Sequence, residues 1–180
     1  MERIDLYTSK RVRTGRTVFR GEPRPEGCYF LVVHICIFGS DGRMLIQKRK
    51  ETKASWPGFW DVSCGGCVSA GEDSQTAGER ELFEELGITV GLQERRPAIS
   101  TTYPNGFDDI YVIKRDVAPE EIRLQAEEVE AVRWASQEEI FSMIDDDSFI
   151  PYRKELIALL FSYQHGFGNF DPEKAAKYGK

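Results

Sequence analysis

The pattern of apolar and polar positions predicts a chain that mixes β-strands with α-helices. The longest apolar run, 29–38, is interrupted only by His34 and leads into a turn at 39–42, as expected for a buried strand that enters a hairpin. A second strand at 44–48 would complete that hairpin. Shorter strands are predicted at 4–7, 17–20, 61–64 and 130–134, and extended segments at 88–101 and 107–115.

Three helices are predicted, each from residues that favour a helix end. The first spans 74–86, with Asp73 or Ser74 as its N-cap and Gly87 after its last turn. A capping box and a proline suited to a first helical turn predict two more helices, one from Ser136 with Glu139 to about residue 144 and one from Pro151. Because strands and helices mix without strict alternation, the expected fold class is α+β or an α/β/α sandwich.

Composition places the chain among folded, acidic proteins. It has 180 residues, of which 24 are Lys or Arg and 30 are Asp or Glu, so the net charge is −6, and 41% of residues are hydrophobic. That content supports an ordinary core, and no apolar run approaches the length of about 20 residues that a membrane span needs. Without a basic stripe, a nucleic-acid polymer is an unexpected partner. The charged N-terminus lacks a secretory signal, so we expect a cytoplasmic protein.

We expect one folded domain with a short extension at each end. The strands at 4–7 and 17–20 flank Thr14-Gly15 and would pair as an N-terminal hairpin. The predicted divisions are a hairpin extension at 1–28 that packs on the domain, the domain itself at 29–165, and a C-terminal tail at 166–180. The extra hairpin also offers a surface through which a homodimer could form.

Three glutamates gather on one side of the first predicted helix. At 3.6 residues per turn, Glu84 and Glu85 lie about −60° and about +40° from Glu81, whereas apolar residues such as Phe83 fall on the other side, between about 100° and 200°. Gly78, at about +60°, shares the acidic face and leaves room for an approaching loop. Neighbouring carboxylates repel each other and oppose the helix dipole. A hard divalent cation, Mg²⁺ or Mn²⁺, would offset both effects; a solvated acidic face is the alternative.

The residues around this cluster resemble the signature of the Nudix hydrolases. That signature is G-x5-E-x7-R-E-U-x-E-E-x-G-U, with U aliphatic, and the segment 66–88 matches it at every defined position. The resemblance implies a Nudix α/β/α sandwich with a mixed central sheet, here with an extra N-terminal hairpin. It also implies an enzyme that uses a divalent metal to hydrolyse the diphosphate linkage of a nucleoside diphosphate joined to another group, or of a related small molecule.

The resemblance also implies roles for individual residues. Glu81, Glu84 and Glu85 would bind Mg²⁺ or Mn²⁺, together with a backbone carbonyl of Gly66 or its neighbour Gly65. Glu81 or Glu85 is the candidate that holds or deprotonates the attacking water. Residues expected to support the loop–helix–loop are Arg80, which is also a catalytic candidate, and Gly66, Glu72 and Gly87.

Residues outside the signature are candidates for contacting the substrate. Cations beside an aromatic loop can reach a phosphate, and aromatic rings can stack on a base, although solvated charges and ordinary packing are the alternatives. The substrate-binding candidates are Lys48, Arg49, Trp60 and Phe107, with Lys53 and Tyr103 as further options. Downstream carboxylates that could supply another ligand or a base are Glu128, Asp108 and Asp109.

A comparison with isopentenyl diphosphate isomerases, which share the Nudix fold, bears on the function. The aromatic loop is similar in both, and alignment puts their catalytic Cys at Gly65 and their metal-binding His residues at Phe30 and Cys67. None of the three is present, which disfavours isomerase activity. The isomerase stays an alternative function, as does a ligand-sensing module without turnover. Cys64 and Cys67 form a C-x-x-C without a second ligand pair, so we expect free thiols, and we expect His34 in the core.

Overall fold

A computed structural model describes residues 2–166, 174, 176 and 177, so most of the predicted tail at 166–180 lies outside the described residues. Within them, nine strands and three α-helices form the fold. The strands are β1 (Arg3–Tyr7), β2 (Arg13–Phe19), β3 (Phe30–Phe38), β4 (Met44–Arg49), β5 (Trp60–Asp61), β6 (Cys64–Cys67), β7 (Ile99–Tyr103), β8 (Gly106–Lys114) and β9 (Val129–Ala135). The helices are α1 (Ser74–Leu86), α2 (Gln137–Asp145) and α3 (Lys154–Tyr163).

Seven strands form one mixed sheet. Its main order is β5-β4-β3-β8-β7, with β6 also beside β3 and β9 also beside β4. β3 and β8 run parallel, and the other pairs are antiparallel. β1 and β2 form a separate antiparallel hairpin. The mixed sheet and the extra hairpin confirm the predicted fold class.

Helices cover both faces of this sheet. Val33 and Ile35 of β3 belong to a core shared with α1, whereas Cys36 and Phe38 belong to a second core shared with α2 and α3. Because β3 is covered on both faces, nearly all of its positions are apolar, as in the sequence. The architecture is the predicted α/β/α sandwich. None of the helices in the described residues is long and apolar enough to cross a membrane.

The predicted hairpin of β3 and β4 opens directly after its turn. The two strands pair at one position beside the turn, and from there β3 continues along β6 while β4 continues along β5 and β9. Ser63 bridges the fork: its Oγ accepts the Ile37 N–H at 2.8 Å and donates to the Leu45 carbonyl at 2.5 Å. The strand predicted at 61–64 is therefore divided into β5 and β6 around this residue.

The N-terminal hairpin forms as predicted, but its turn lies elsewhere. β2 already begins at Arg13, so Thr14-Gly15 lie inside the strand. The turn occupies residues 8–12, where Arg11 has a φ of 59°. Thr14 and Gly15 have turn propensity, but they do not form the turn, because the pairing of β1 with β2 continues past them to Arg13.

Two further boundaries differ from the sequence prediction. The segment 88–101 is not extended throughout, because it includes a 3₁₀ turn at Leu92–Glu94 before β7. α3 begins at Lys154 rather than Pro151, because the backbone stays extended up to the residue before Lys154. α2 begins as predicted, with Ser136 in a reciprocal capping box.

Candidate active site

α1 holds the acidic cluster, and its ends agree with the sequence prediction. Asp73, one of the two proposed N-caps, accepts the backbone N–H of Thr76 at 2.8 Å. Gly87 ends the helix in the left-handed conformation at φ 72°. Both ends follow from local chemistry, since a carboxylate satisfies a free N–H and glycine adopts a positive φ without strain.

The prediction that α1 has an acidic side and a separate apolar side is wrong. Glu81 and Glu85 are 8% and 6% exposed and share the buried face with the leucines of the same turns, whereas Glu84 and Phe83 face solvent, Phe83 being 60% exposed. Gly78 lets α1 pack closely against the 3₁₀ turn and β3. A Cβ at this position would lie 2.8 Å from the Leu92 side chain and 3.2 Å from the Val33 side chain. Two carboxylates are thus placed where apolar residues would normally pack.

Glu81 lies directly under β6. Burial raises the pKa of Glu81 to about 7, against the opposing effect of the Arg80 guanidinium, whose Nη1 donates to Oε1 at 2.9 Å. A Cβ on Gly66 would lie 2.4 Å from that same Oε1. Only glycine lets the backbone of β6 approach the carboxylate this closely, which explains the residue type at this position.

Glu85 is held by two uncharged donors. Its Oε2 accepts Gln47 Nε2 at 2.9 Å and the Cys64 thiol at 3.3 Å. Burial raises the pKa of Glu85, and these two bonds and the charge of Lys53 only partly oppose the rise. Oε1 of Gln47 is buried without a hydrogen-bond partner among the described residues. Within that part of the chain, Glu85 also makes no ion pair, so no cation contacts its carboxylate directly.

Arg80 ties the loop before α1 to the helix. Its Nε and Nη2 bond the two oxygens of Glu72 at 3.0 Å each, and Nη1 also reaches Glu84 at 3.2 Å. Glu72 in turn accepts the Ser69 N–H at 3.2 Å. Arg80 thus engages two of the three predicted ligands. In the described residues, no group of three acidic, His or Cys side chains is placed to hold a metal ion.

Glu81, Glu84 and Glu85 of α1 line a cavity of about 300 Å³. Its charged lining comprises the acids Glu2, Glu81, Glu84, Glu85 and Glu128 and the bases Arg20, Arg49, Lys53 and Arg80. Sequence reasoning missed Glu2 and Arg20, which the N-terminal hairpin brings to the site. No local motif marks them, since their position depends on how the hairpin docks.

Of the four substrate-binding candidates, the structure brings Arg49 to this cavity. Its Nη2 donates to the Ser55 carbonyl at 3.1 Å, and its Nη1 lies 3.6 Å from Asp61. In the described chain the lining does not include the other three. Lys48 pairs with Glu130 at 2.9 Å, Trp60 lies under the Arg133 guanidinium at 5.2 Å, and Phe107 packs on Tyr29 at 5.8 Å.

Of the three downstream carboxylates, one reaches the cavity and two lie elsewhere. Glu128 lines the cavity, where it pairs with Lys53. Asp108 instead bonds Nδ1 of His34 at 2.8 Å on the face of the sheet that α3 covers, and Asp109 is bonded by Ser100 at 2.6 Å. Glu128 is therefore the candidate that can act with the glutamates of α1.

The isomerase-like features do not assemble into a second site. Cys64 and Cys67 are three positions apart in a strand, so their side chains point to opposite faces, and both thiols are free. A Cβ on Gly65 would lie 2.4 Å from Cδ2 of His34. A cysteine could occupy position 65 only if the His34 ring moved.

Comparison with known proteins assigns the family. A NUDIX domain model matches residues 29–160. An uncharacterized Nudix hydrolase from Listeria monocytogenes is 43% identical over 152 residues, which cover 84% of this chain and 90% of that protein. The chain belongs to the Nudix family, and it is an enzyme of the Nudix hydrolase class.

Two further similarities bear on fold and function. The crystal structure of DR0079 from Deinococcus radiodurans superposes with a TM-score of 0.72 at 25% identity, over 88% of this chain and 97% of that one. An isopentenyl-diphosphate Delta-isomerase from Leifsonia xyli is 30% identical over 115 residues, 60% of this chain and 62% of the isomerase. Despite this sequence similarity, the chain has Gly65 where the isomerases have their catalytic cysteine.

Proposed function

We propose that this Nudix hydrolase cleaves the diphosphate linkage of a nucleoside diphosphate derivative, or of a related small diphosphate, with Mg²⁺ or Mn²⁺ held by Glu81, Glu84 and Glu85. The observation that carries the proposal is the burial of Glu81 and Glu85 in a cavity that also contains cations. Buried carboxylates are costly unless they are paired or bind a metal. Mg²⁺ and Mn²⁺ prefer oxygen donors, so the donor set fits.

The surroundings of each carboxylate support this assignment. Gly66 leaves the Glu81 carboxylate uncovered by any side chain at that position, and its backbone carbonyl, or that of Gly65, is the further donor expected. Gln47 and Cys64 both bond Oε2 of Glu85, and neither bonds the other carboxylate oxygen. Arg80 bonds Oε1 of Glu81 and Oε2 of Glu84, so these two oxygens would bind the ion only by exchanging that bond, whereas Arg80 would keep its two bonds to Glu72.

The reaction divides between the ion and the side chains. When bound, the ion would neutralise phosphate oxygens, orient the diphosphate and favour deprotonation of water. Glu81 or Glu85 holds the attacking water and accepts its proton, with Glu128 as the alternative base. Arg49 and Lys53 bind the substrate's phosphate oxygens, since both line the cavity and carry donors suited to phosphate.

A panel of diphosphate compounds tests the proposal. The purified protein is incubated with each compound in Mg²⁺ and, in parallel, in a chelator, and the products are identified by mass spectrometry. We expect metal-dependent cleavage at a P–O–P linkage by the wild type and by Glu138→Gln, a control on an exposed glutamate of α2, but not by Glu85→Gln. Metal-dependent binding without turnover would instead favour the sensing module, and rearrangement of an isopentenyl diphosphate without cleavage would favour the isomerase.

A further inference from the structure

Three cations from separate segments meet in the cavity. Arg20 follows β2 of the hairpin, Arg49 ends β4, and Lys53 lies in the next loop. Burial lowers the pKa of Lys53, and the charges of Arg49 and Arg20 lower it further, so the three side chains repel one another. Converging like charges oppose folding, and such local conflicts are typical of sites that receive a counter-charge. Carboxylates of the lining offset part of this positive charge, and a phosphate group of the substrate is the anion that can replace them as partner of these cations.

Of the three cations, Arg20 is the one whose present bond is most easily exchanged. Arg49 is bonded to the Ser55 carbonyl, and Lys53 is paired with Glu128. Arg20 pairs through Nη1 with Glu2 Oε2 at 2.9 Å, and its side chain is 52% exposed. An exposed ion pair contributes little to stability, so Arg20 can exchange Glu2 for a phosphate at small cost, and its planar guanidinium matches two phosphate oxygens.

The hairpin is attached to the same loop that leads into α1. Four hydrogen bonds make this attachment. They join Ala70 N–H to the Arg3 carbonyl at 2.8 Å, Gly71 N–H to Asp5 Oδ2 at 2.9 Å, Ser69 Oγ to Glu2 Oε1 at 2.8 Å, and Arg13 to the Glu72 carbonyl. The hairpin that carries Arg20 is thereby held against the loop that leads into α1.

We propose that the N-terminal hairpin completes the active site and that Arg20 binds a phosphate group of the substrate, exchanging its bond to Glu2 for the phosphate. The identity of that anion as part of a diphosphate rests on the proposed function. In this arrangement Arg49 and Lys53 are fixed contacts, and Arg20 closes on the phosphate from the hairpin.

Binding of a diphosphate that resists hydrolysis tests the role of Arg20. Methylenediphosphonate, whose P–C–P bridge is not cleaved, is titrated into the protein with Mg²⁺ in a calorimeter. Because hydrogen bonds to charged groups are strong, we expect Arg20→Gln to weaken binding about 10-fold or more. Arg16→Gln, on an exposed residue of the same hairpin, serves as the charge-matched control and should bind like the wild type. Arg20→Lys should fall between, since it keeps the charge but not the fork.

Glu2→Gln separates a binding role from a merely structural one. If Arg20 binds phosphate, loss of its competitor should leave binding unchanged or tighten it, and Arg20→Gln should raise KM with little change in kcat. If the pair only fastens the hairpin, Glu2→Gln and Arg20→Gln should lower Tm and weaken binding equally, and the inference is wrong. A wild type that cleaves, with Arg20→Gln unchanged in KM, refutes this inference alone. Arg20-dependent binding without any turnover supports it and refutes the proposed hydrolysis.

Discussion

The two faces of the central sheet both bury charged side chains, but they treat those charges differently. On the face covered by α1, Glu85 is buried between uncharged donors and has no ion pair in the described residues. On the face covered by α3, His34 is bonded to Asp108 at 2.8 Å and to Tyr152 at 3.3 Å. A satisfied network stabilises a fold, whereas an unsatisfied one indicates a missing ligand.

The bonds on the α3 face fix the protonation of His34. The Tyr152 hydroxyl donates its only proton to Asp61 at 2.8 Å, so it must accept from Nε2 of His34. The Asp108 carboxylate is an acceptor as well, so both bonds form together when both ring nitrogens carry a proton, which is the imidazolium form. This agrees with the pKa of His34: burial lowers it, but the charge and hydrogen bond of Asp108 outweigh burial and raise it above 6.5.

The largest expected effect is on turnover, from a change on the α1 face. Glu85→Gln keeps the size of the side chain but removes its charge and basicity, so we expect kcat to fall by about 10²–10⁴-fold. Stability should be unchanged or higher, because a buried charge is removed. Both are measured, kcat at saturating Mg²⁺ and stability by urea unfolding. Wild-type turnover under those conditions would show that Glu85 is not a ligand or a base.

Adjacent glycines of β6 probe the two faces separately. A Cβ on Gly66 meets the Glu81 carboxylate at 2.4 Å, and one on Gly65 meets the His34 ring at 2.4 Å. We expect Gly66→Ala to lower kcat by about 100-fold through displacement of Glu81. Gly65→Ala should act first on stability, with a loss of about 1–3 kcal/mol from overpacking. Comparing kcat and unfolding midpoints of the two variants is the test; equal effects on both quantities would contradict the separation of the faces.

Asp108→Asn should weaken the fold through the α3 face. It replaces a charged acceptor of His34 by a neutral amide, and hydrogen bonds to charged groups contribute about 1.5–3 kcal/mol, so a loss of that size is expected in urea unfolding. Because Asp108 lies away from the cavity lining in the described chain, kcat of the folded protein should stay at the wild-type value. A large loss of kcat with unchanged stability would return Asp108 to the list of candidate bases.

The sequence predicts most reliably what local chemistry decides. The ends of α1 follow from Asp73 and Gly87, and the signature at 66–88 identifies the family. The sequence does not predict which side of α1 faces the core. The prediction assumed that the carboxylates lie away from the core, whereas Glu81 is buried and Phe83 is exposed. A helical wheel gives the angle between residues but not the side on which the sheet lies.

Tertiary contacts account for the remaining misses. Arg20 reaches the cavity because the hairpin docks on the loop before α1, and Ser63 ends a strand because β3 and β4 diverge around it. Each of these contacts joins residues that are far apart in the chain, so neither the hydrophobic periodicity nor the turn residues of the sequence predict it. Lys48 illustrates the reverse: it is adjacent to Arg49 in β4, and the alternation of side chains directs it to Glu130 instead of the cavity.

The last expected effect is the pH dependence of stability, where the two faces differ in their pH windows. Both Glu81 and His34 have folded pKa values above their unfolded ones, so the folded state binds more protons and each contribution to stability declines as pH rises. For Glu81 the decline runs from 4.5 to about 7. For His34 the contribution is complete below 6.5 and is lost as pH rises through its higher folded pKa.

Urea unfolding from pH 4 to 9 in a chelator resolves these windows. Glu81→Gln should flatten the lower part of the stability curve and raise stability at alkaline pH, because the buried charge no longer forms. His34→Gln should flatten only the part above 6.5, since the lost imidazolium contributed below that point and faded above it. If His34→Gln left the upper part of the curve unchanged, His34 would be neutral in the folded protein, and the bonds assigned from its two ring nitrogens would need a different tautomer.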